Sequence, residues 1–132
     1  MRALIVQSNA DLGDLWKRHL ERLDVTVALA QTEDAAAELI KSDKFDVIVM
    51  DLVLSEGSGL ALADLAQFRQ PDANIVFVTD TTFFSDGSIF QHSANARAFV
   101  RSATPPDDLA AIVHHYGQAS PDRAAHQSLV TG

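Results

Sequence analysis

Phe45 to Gly59 reads FDVIVMDLVLSEGSG. Val47, Ile48, Val49 and Met50 form an apolar run with no polar residue inside it, and Asp51 ends the run. A strand with one face in water alternates apolar and polar residues, whereas a strand covered on both faces of a parallel sheet does not. The same continuous pattern stands upstream at Ala3 to Val6 (ALIV) and downstream at Ile75 to Val78 (IVFV). Val25 to Leu29 (VTVAL) alternates, and Ala98 to Val100, within AFVRS, runs into polar residues, as strands at outer positions do.

Helical periodicity fills the gaps between these strands. Leu12, Leu15, Trp16, His19, Leu20 and Leu23 recur at the spacing of one helical face. Ala35, Ala36, Leu39 and Ile40 mark a second helix, Ala61, Leu62, Leu65 and Ala66 a third, and Leu109, Ile112, Val113 and Tyr116 a last one. For the last helix the sequence predicts Thr104 as cap, Pro105 at the first helical position and Asp107 near the positive end of the dipole. Between strands 4 and 5, Ser85 to Ala94 carries the weakest helical pattern, interrupted by Gly87 with only Ile89, Phe90 and Ala94 as a stripe. Strands alternating with helices predict an α/β fold, a single doubly wound five-stranded parallel sheet in a three-layer sandwich. Right-handed crossovers with strands 1, 3 and 4 in the middle give the order 2-1-3-4-5, with the topological switch between strands 1 and 3.

The chain has 132 residues, which matches one domain. It has no Cys, which excludes thiolate ligands and disulfides and suits a reducing compartment. Ten Lys and Arg against eighteen Asp and Glu give a net charge of −8, which repels phosphate backbones and anionic lipid. Nucleic acid and membrane are therefore not expected as partners. The opening MRALIVQSN has too short an apolar run for a signal peptide, and no stretch approaches a membrane span. A cytoplasmic domain is the expectation. QASPDRAAHQSLVTG, residues 118–132, reads as a polar C-terminal tail following a domain over 1–117.

Ligands of open parallel sheets bind beyond the carboxyl ends of the strands near the switch point. The residues there are Gln7, Ser8 and Asn9 after strand 1, Asp51 after strand 3, Thr79 and Asp80 after strand 4, and Arg101 and Ser102 after strand 5. With these residues in place, FDVIVMDLVLSEGSG resembles the third strand and following loop of response-regulator receiver domains, whose fold is flavodoxin-like. In that family the strand ends in a phosphoacceptor Asp and a Gly follows eight positions later, as Asp51 and Gly59 do. Thr79 is similar to the family's switch hydroxyl and Phe99 to its switch aromatic. The resemblance spans Met1 to Gly117.

The resemblance also implies Mg²⁺, held by two acids after strand 1 and by the strand 3 Asp, which neutralises an incoming phosphoryl group. Here the acidic pair is replaced by Gln7 and Ser8, both neutral. Asp51, Asn9 and the backbone of Val53 are the remaining oxygen ligands, so Mg²⁺ binding is expected to be weak or absent. Losing about 4 kcal/mol of transition-state stabilisation costs about a thousandfold in rate. The family's phosphoryl-pairing lysine falls on Ser102 when counted from Phe99 and on Arg101 when counted from Thr79. Neighbouring strand residues face opposite ways, so Arg101 serves only if the chain slips by one or its stem curls round. Ala103 stands where the family has a cis proline, which predicts a trans bond and a different loop path. Asp80, where a small residue is usual, either repels a phosphoryl group or replaces a metal ligand; repulsion is the preferred reading. Whether Asp11, Glu56 or Asp80 rescues metal binding stays open.

Plainer roles stand beside these. Asp51 can cap the loop after its strand, and Thr79 can end a strand with its hydroxyl on the backbone. Arg101 is expected to pair with Asp51 or Asp80 rather than with phosphate. His114 and His115 point about 100° apart on a helix, so they share no metal-binding face. His19 and Trp16 read as packing residues. No dinucleotide fingerprint or nucleophile elbow is present in QSNADLG or around Ser8.

What the resemblance implies is a single-domain receiver in a two-component phosphorelay, acting by protein contact, not an enzyme beyond accepting a phosphoryl group on Asp51. Its partners would be a histidine kinase or phosphotransfer protein, a downstream target, or a second copy meeting it through the weak helix at Ser85 to Ala94, the fifth strand and the last helix. The alternatives are a phosphorylation-independent pseudo-receiver adaptor and a flavodoxin-like binder of a small ligand. Gln7, Ser8, Asp80 and Ser102 favour impaired phosphorylation; Asp51, Thr79 and Phe99 favour the switch.

Overall fold

Strand pairing accounts for the architecture. The computed structural model describes residues 1–51, 59–79 and 96–118, with backbone alone for Ala96, Arg97 and Phe99. The strands are β1 (Arg2–Val6), β2 (Thr26–Ala30), β3 (Val47–Asp51), β4 (Asn74–Thr79) and β5 (Ala96–Arg101). The helices are α1 (Ala10–Glu21), α2 (Glu33–Ser42), α3 (Gly59–Arg69) and α4 (Pro106–Gln118). All strands pair in parallel in the order β2-β1-β3-β4-β5, as their patterning predicts. The non-alternating strands are the central ones: β4 is buried along its whole length and β3 until Asp51. The stretch Ser85 to Ala94 lies outside the described residues, as do Val53, Glu56, Asp80 and the tail beyond Gln118.

Period-two alternation sends successive side chains to opposite faces, giving two cores. Leu4, Val6, Ile48, Met50, Ile75 and Phe77 pack under α2 and α3 with Ala36, Ile40, Leu62 and Ala66. Ala3, Ile5, Val47, Val49, Val76 and Val78 pack under α1 and α4 with Trp16, Leu20, Leu109 and Val113. Trp16 is 1% exposed, as its reading as a packing residue requires. His19 is half-buried, with Nδ1 3.0 Å from the Leu15 carbonyl.

Local chemistry sets the helix ends. Asn9 caps α1 by accepting from the Leu12 amide, and Thr32 caps α2 by accepting from the Ala35 amide. Helix α1 stops at Glu21, and Asp24 adopts a left-handed φ of 62° in the turn that follows. Leu23 therefore leaves the apolar face expected of it and is 40% exposed.

The start of α4 also departs from expectation. It begins at Pro106, one residue later, with the Pro105 carbonyl accepting from the Leu109 amide at 3.0 Å. A residue before proline is disfavoured in the helical region, which suits Pro105 to the position before the helix rather than to its first turn. Thr104 instead belongs to the preceding turn, where its amide donates to the Arg101 carbonyl. No cis peptide occurs among the described residues, so Ala103 follows a trans bond as predicted.

Candidate functional site

The carboxyl edge of the sheet gathers the residues singled out in the sequence. β1 and β3 pair at a constant offset, Ala3 with Val47 through Val6 with Met50. One step further sets Gln7 beside Asp51. Parity sends both to the face already occupied by Ile5 and Val49, toward α1. There the Gln7 Nε2 donates to Asp51 Oδ2 at 3.0 Å.

Gln7 is held from three directions. Its backbone amide donates to the Ala30 carbonyl at 3.0 Å, and its Oε1 accepts from the Asn9 amide at 3.0 Å. Asn9 in turn spends its Oδ1 on the Leu12 amide at 3.1 Å, at the first turn of α1. Gly13, one turn along, lets α1 lie close: a Cβ there would stand 3.4 Å from Gln7 Cβ and 2.9 Å from Leu29 Cδ1. Gln7 is only 3% exposed, so water cannot replace these partners freely. Turning the carboxamide over would set Nε2 against the Asn9 N–H, donor facing donor, at a cost of about 1–3 kcal/mol for each buried group left unmatched. The backbone therefore fixes which end of Gln7 faces Asp51.

Thr79 ends β4 beside this pair and is 7% exposed. Asp51 stands opposite Val78 in the register, which puts Thr79 one step beyond it on the neighbouring strand. The β4/β5 pairing contains an irregularity: Ile75 pairs with Ala96 and Val76 with Ala98, so β5 carries one extra residue. That slip brings Arg101 opposite Thr79, while the Ser102 amide donates to the Thr79 carbonyl at 3.3 Å. The Phe99 backbone lies opposite Phe77.

The pairing expected between Arg101 and Asp51 is not present. Arg101 is exposed, and it takes no part in the ion pairs of Arg2 with Asp43, Arg18 with Asp14, or Lys41 with Glu38. Asp80, the other partner expected for Arg101, lies outside the described residues.

Mg²⁺ demands near-octahedral oxygen ligation and is held through one or two carboxylates. At this edge the described residues supply the Asp51 carboxylate, while Gln7 turns its nitrogen to it and both amide oxygens, of Gln7 and Asn9, accept from backbone N–H groups. Among the described residues that set fits the cation poorly, since one carboxylate is all the charge it offers; Val53, Glu56 and Asp80 lie outside them. Among the described residues no group of three or more His, Cys, Asp or Glu could hold a metal ion.

A doubly wound parallel sheet whose middle strand delivers an aspartate to the carboxyl edge defines a class of α/β domain, and the comparisons name the family. The sequence matches the model of the response regulator receiver domain over residues 3–114, and the chain belongs to that family. Response regulator protein PilR of Pseudomonas aeruginosa is 32% identical over 78 residues, which are 59% of this chain and 18% of PilR. The chain thus spans a small part of that relative. A CheY-like receiver domain protein from Methanospirillum hungatei superposes with a TM-score of 0.81 at 23% identity, covering 89% of this chain and 94% of the other. The response regulator TrrA from Thermotoga maritima, in complex with Mg²⁺ and BeF, gives 0.76 at 21% identity over 87% of this chain and 97% of TrrA. At these identities the two structures speak to the fold. Receivers of response regulators interact with kinases or phosphotransfer proteins, typically bind Mg²⁺ and are generally not enzymes.

The contact from Gln7 to Asp51 is one that sequence reading missed. Its signal was available in the shared parity of residues 3, 5 and 7 with 47, 49 and 51 once β1 and β3 are taken as neighbours.

Proposed function

We propose that this chain is a receiver of a two-component phosphorelay that regulates a partner by protein contact, with Mg²⁺-dependent phosphorylation of Asp51 impaired. The observation that carries this reading is the 3.0 Å hydrogen bond from the Gln7 carboxamide to Asp51, at the edge where the family resemblance calls for acids. A neutral donor satisfies the carboxylate oxygen without supplying the charge that an incoming phosphoryl group needs.

In this reading the receiver occupies residues 1–117, the segment 118–132 is a polar tail, and the protein works in the cytoplasm. Its upstream partner is a histidine kinase or a phosphotransfer protein. Its contact surface includes the cavity of about 390 Å³ lined by Ala98, Val100, Ala111, Ile112, His115 and Tyr116, between β5 and α4. The same face serves for a homodimer. A phosphorylation-independent adaptor is the limiting case of this function.

A second reading, a working switch, draws support from Asp51 and Thr79 standing at the ends of neighbouring strands. In it Thr79 follows the phosphoryl group, Arg101 or Ser102 pairs with it, and Phe99 repacks, a population shift biased by local charge. Incubating the chain with acetyl phosphate, with and without Mg²⁺, and reading the intact mass separates the two. The first reading expects an unmodified chain in both samples. Addition of one phosphoryl group, accelerated by Mg²⁺ and abolished by Asp51→Asn, would establish the switch instead.

A further inference from the structure

The misfit between the carboxyl edge and a divalent cation has a definite source in this chain. Gln7 contributes its nitrogen, not its oxygen, to the side of the carboxamide that faces Asp51. Its oxygen is engaged by the Asn9 amide on the other side, and the Asn9 side-chain oxygen is engaged at the cap of α1. The Gln7 N–H donates to Asp51 Oδ2 on the side from which an ion held jointly by residue 7 and Asp51 would bind. Burial of Gln7 and the close passage of α1 at Gly13 hold the side chain in that place.

We propose that Gln7 is a positioning residue that substitutes for a cation at Asp51 and closes the edge to divalent metals. It follows that the single change Gln7→Glu opens the edge to Mg²⁺. This inference rests on the reading of an edge with impaired Mg²⁺ use and adds the residue that causes it. Glutamate is nearly isosteric with glutamine, keeps an oxygen toward the Asn9 amide and presents a second carboxylate oxygen toward Asp51. Two carboxylates at the 3.0 Å separation now bridged by an amide repel one another unless a proton or a cation joins them. A divalent ion interacting with two facing carboxylates meets the ligand charge that Mg²⁺ sites use.

The test is a thermal melt and a calorimetric titration of wild type, Gln7→Glu and the Gln7→Glu/Asp51→Asn double variant with MgCl₂. Wild type is expected to melt at the same temperature with and without Mg²⁺. Gln7→Glu is expected to melt below wild type in chelator and to rise with Mg²⁺ by mass action, with affinity about tenfold or more above any shown by wild type. Asp51→Asn is expected to remove that gain. A Gln7→Glu chain that is unfolded in chelator and folds when Mg²⁺ is added supports the proposal equally.

If Gln7→Glu and the shorter Gln7→Asp both melt independently of Mg²⁺, Gln7 is not what excludes the cation, and the proposal is overturned while the impaired-site reading stands. A wild-type chain that itself binds Mg²⁺ as tightly as Gln7→Glu overturns both.

Discussion

Gln7→Leu is expected to lower the stability of the fold by about 2–4 kcal/mol, because a buried polar network loses its middle member. Leucine fills a similar volume but offers no donor to Asp51 Oδ2 and no acceptor to the Asn9 amide, each now bonded to Gln7 at 3.0 Å. The effect concentrates in a carboxylate, whose hydrogen bonds are stronger than those between neutral groups. Urea denaturation of wild type and variant measures the difference. A double-mutant cycle with Asp51→Ala isolates the pair, with a coupling of about 1–3 kcal/mol expected for groups in direct contact. Loss of less than about 0.5 kcal/mol, the range of an ordinary surface change, would show that the amide does not hold the carboxylate.

Phe77→Ala is expected to cost about 3–5 kcal/mol, the usual range for emptying a large aromatic from a packed interior. Phe77 is fully buried at the middle of β4, opposite Met50 on β3 and Phe99 on β5. It packs in the core under α2 and α3, so its loss loosens the strand that carries Thr79. Phe68→Ala is the informative contrast. Phe68 is 81% exposed on α3 and should change stability by less than about 0.5 kcal/mol. Equal losses at the two positions, measured by the same denaturation, would contradict the assignment of the core.

The sheet was legible because burial on both faces writes a distinctive sequence. ALIV, VIVM and IVFV lack alternation for a physical reason, and that reason also placed them at the centre. Helix ends were less legible. The Thr104-Pro105-Pro106 sequence offers two prolines that suit a first helical position, and only the restriction that Pro106 imposes on Pro105 selects the later start. Leu23 continues the spacing of α1 on paper, but the helix has ended before it at Glu21.

At the site, residue identities were readable and contacts were not. That Gln7 and Ser8 are neutral is plain in the sequence, whereas the amide of Gln7 reaching Asp51 needs the β1/β3 register. Arg101 shows the same limit. A single extra residue in β5 decides that it stands opposite Thr79, and a bulge of that kind leaves no reliable mark in composition. Of the two partners expected for Arg101, Asp51 is not paired with it, Arg101 being exposed, and Asp80 lies outside the described residues.

The central proposal is that the Gln7 amide stands in for a cation at Asp51. An amide NMR titration of the wild-type chain with Mg²⁺ and then with beryllofluoride, a phosphoryl mimic, tests it most directly, with Asp51→Asn as the control. The expected result is a spectrum without saturable shifts at Gln7, Asp51 and Thr79. Saturable shifts at Asp51 and Thr79 that spread to Phe99 and vanish in Asp51→Asn would contradict it.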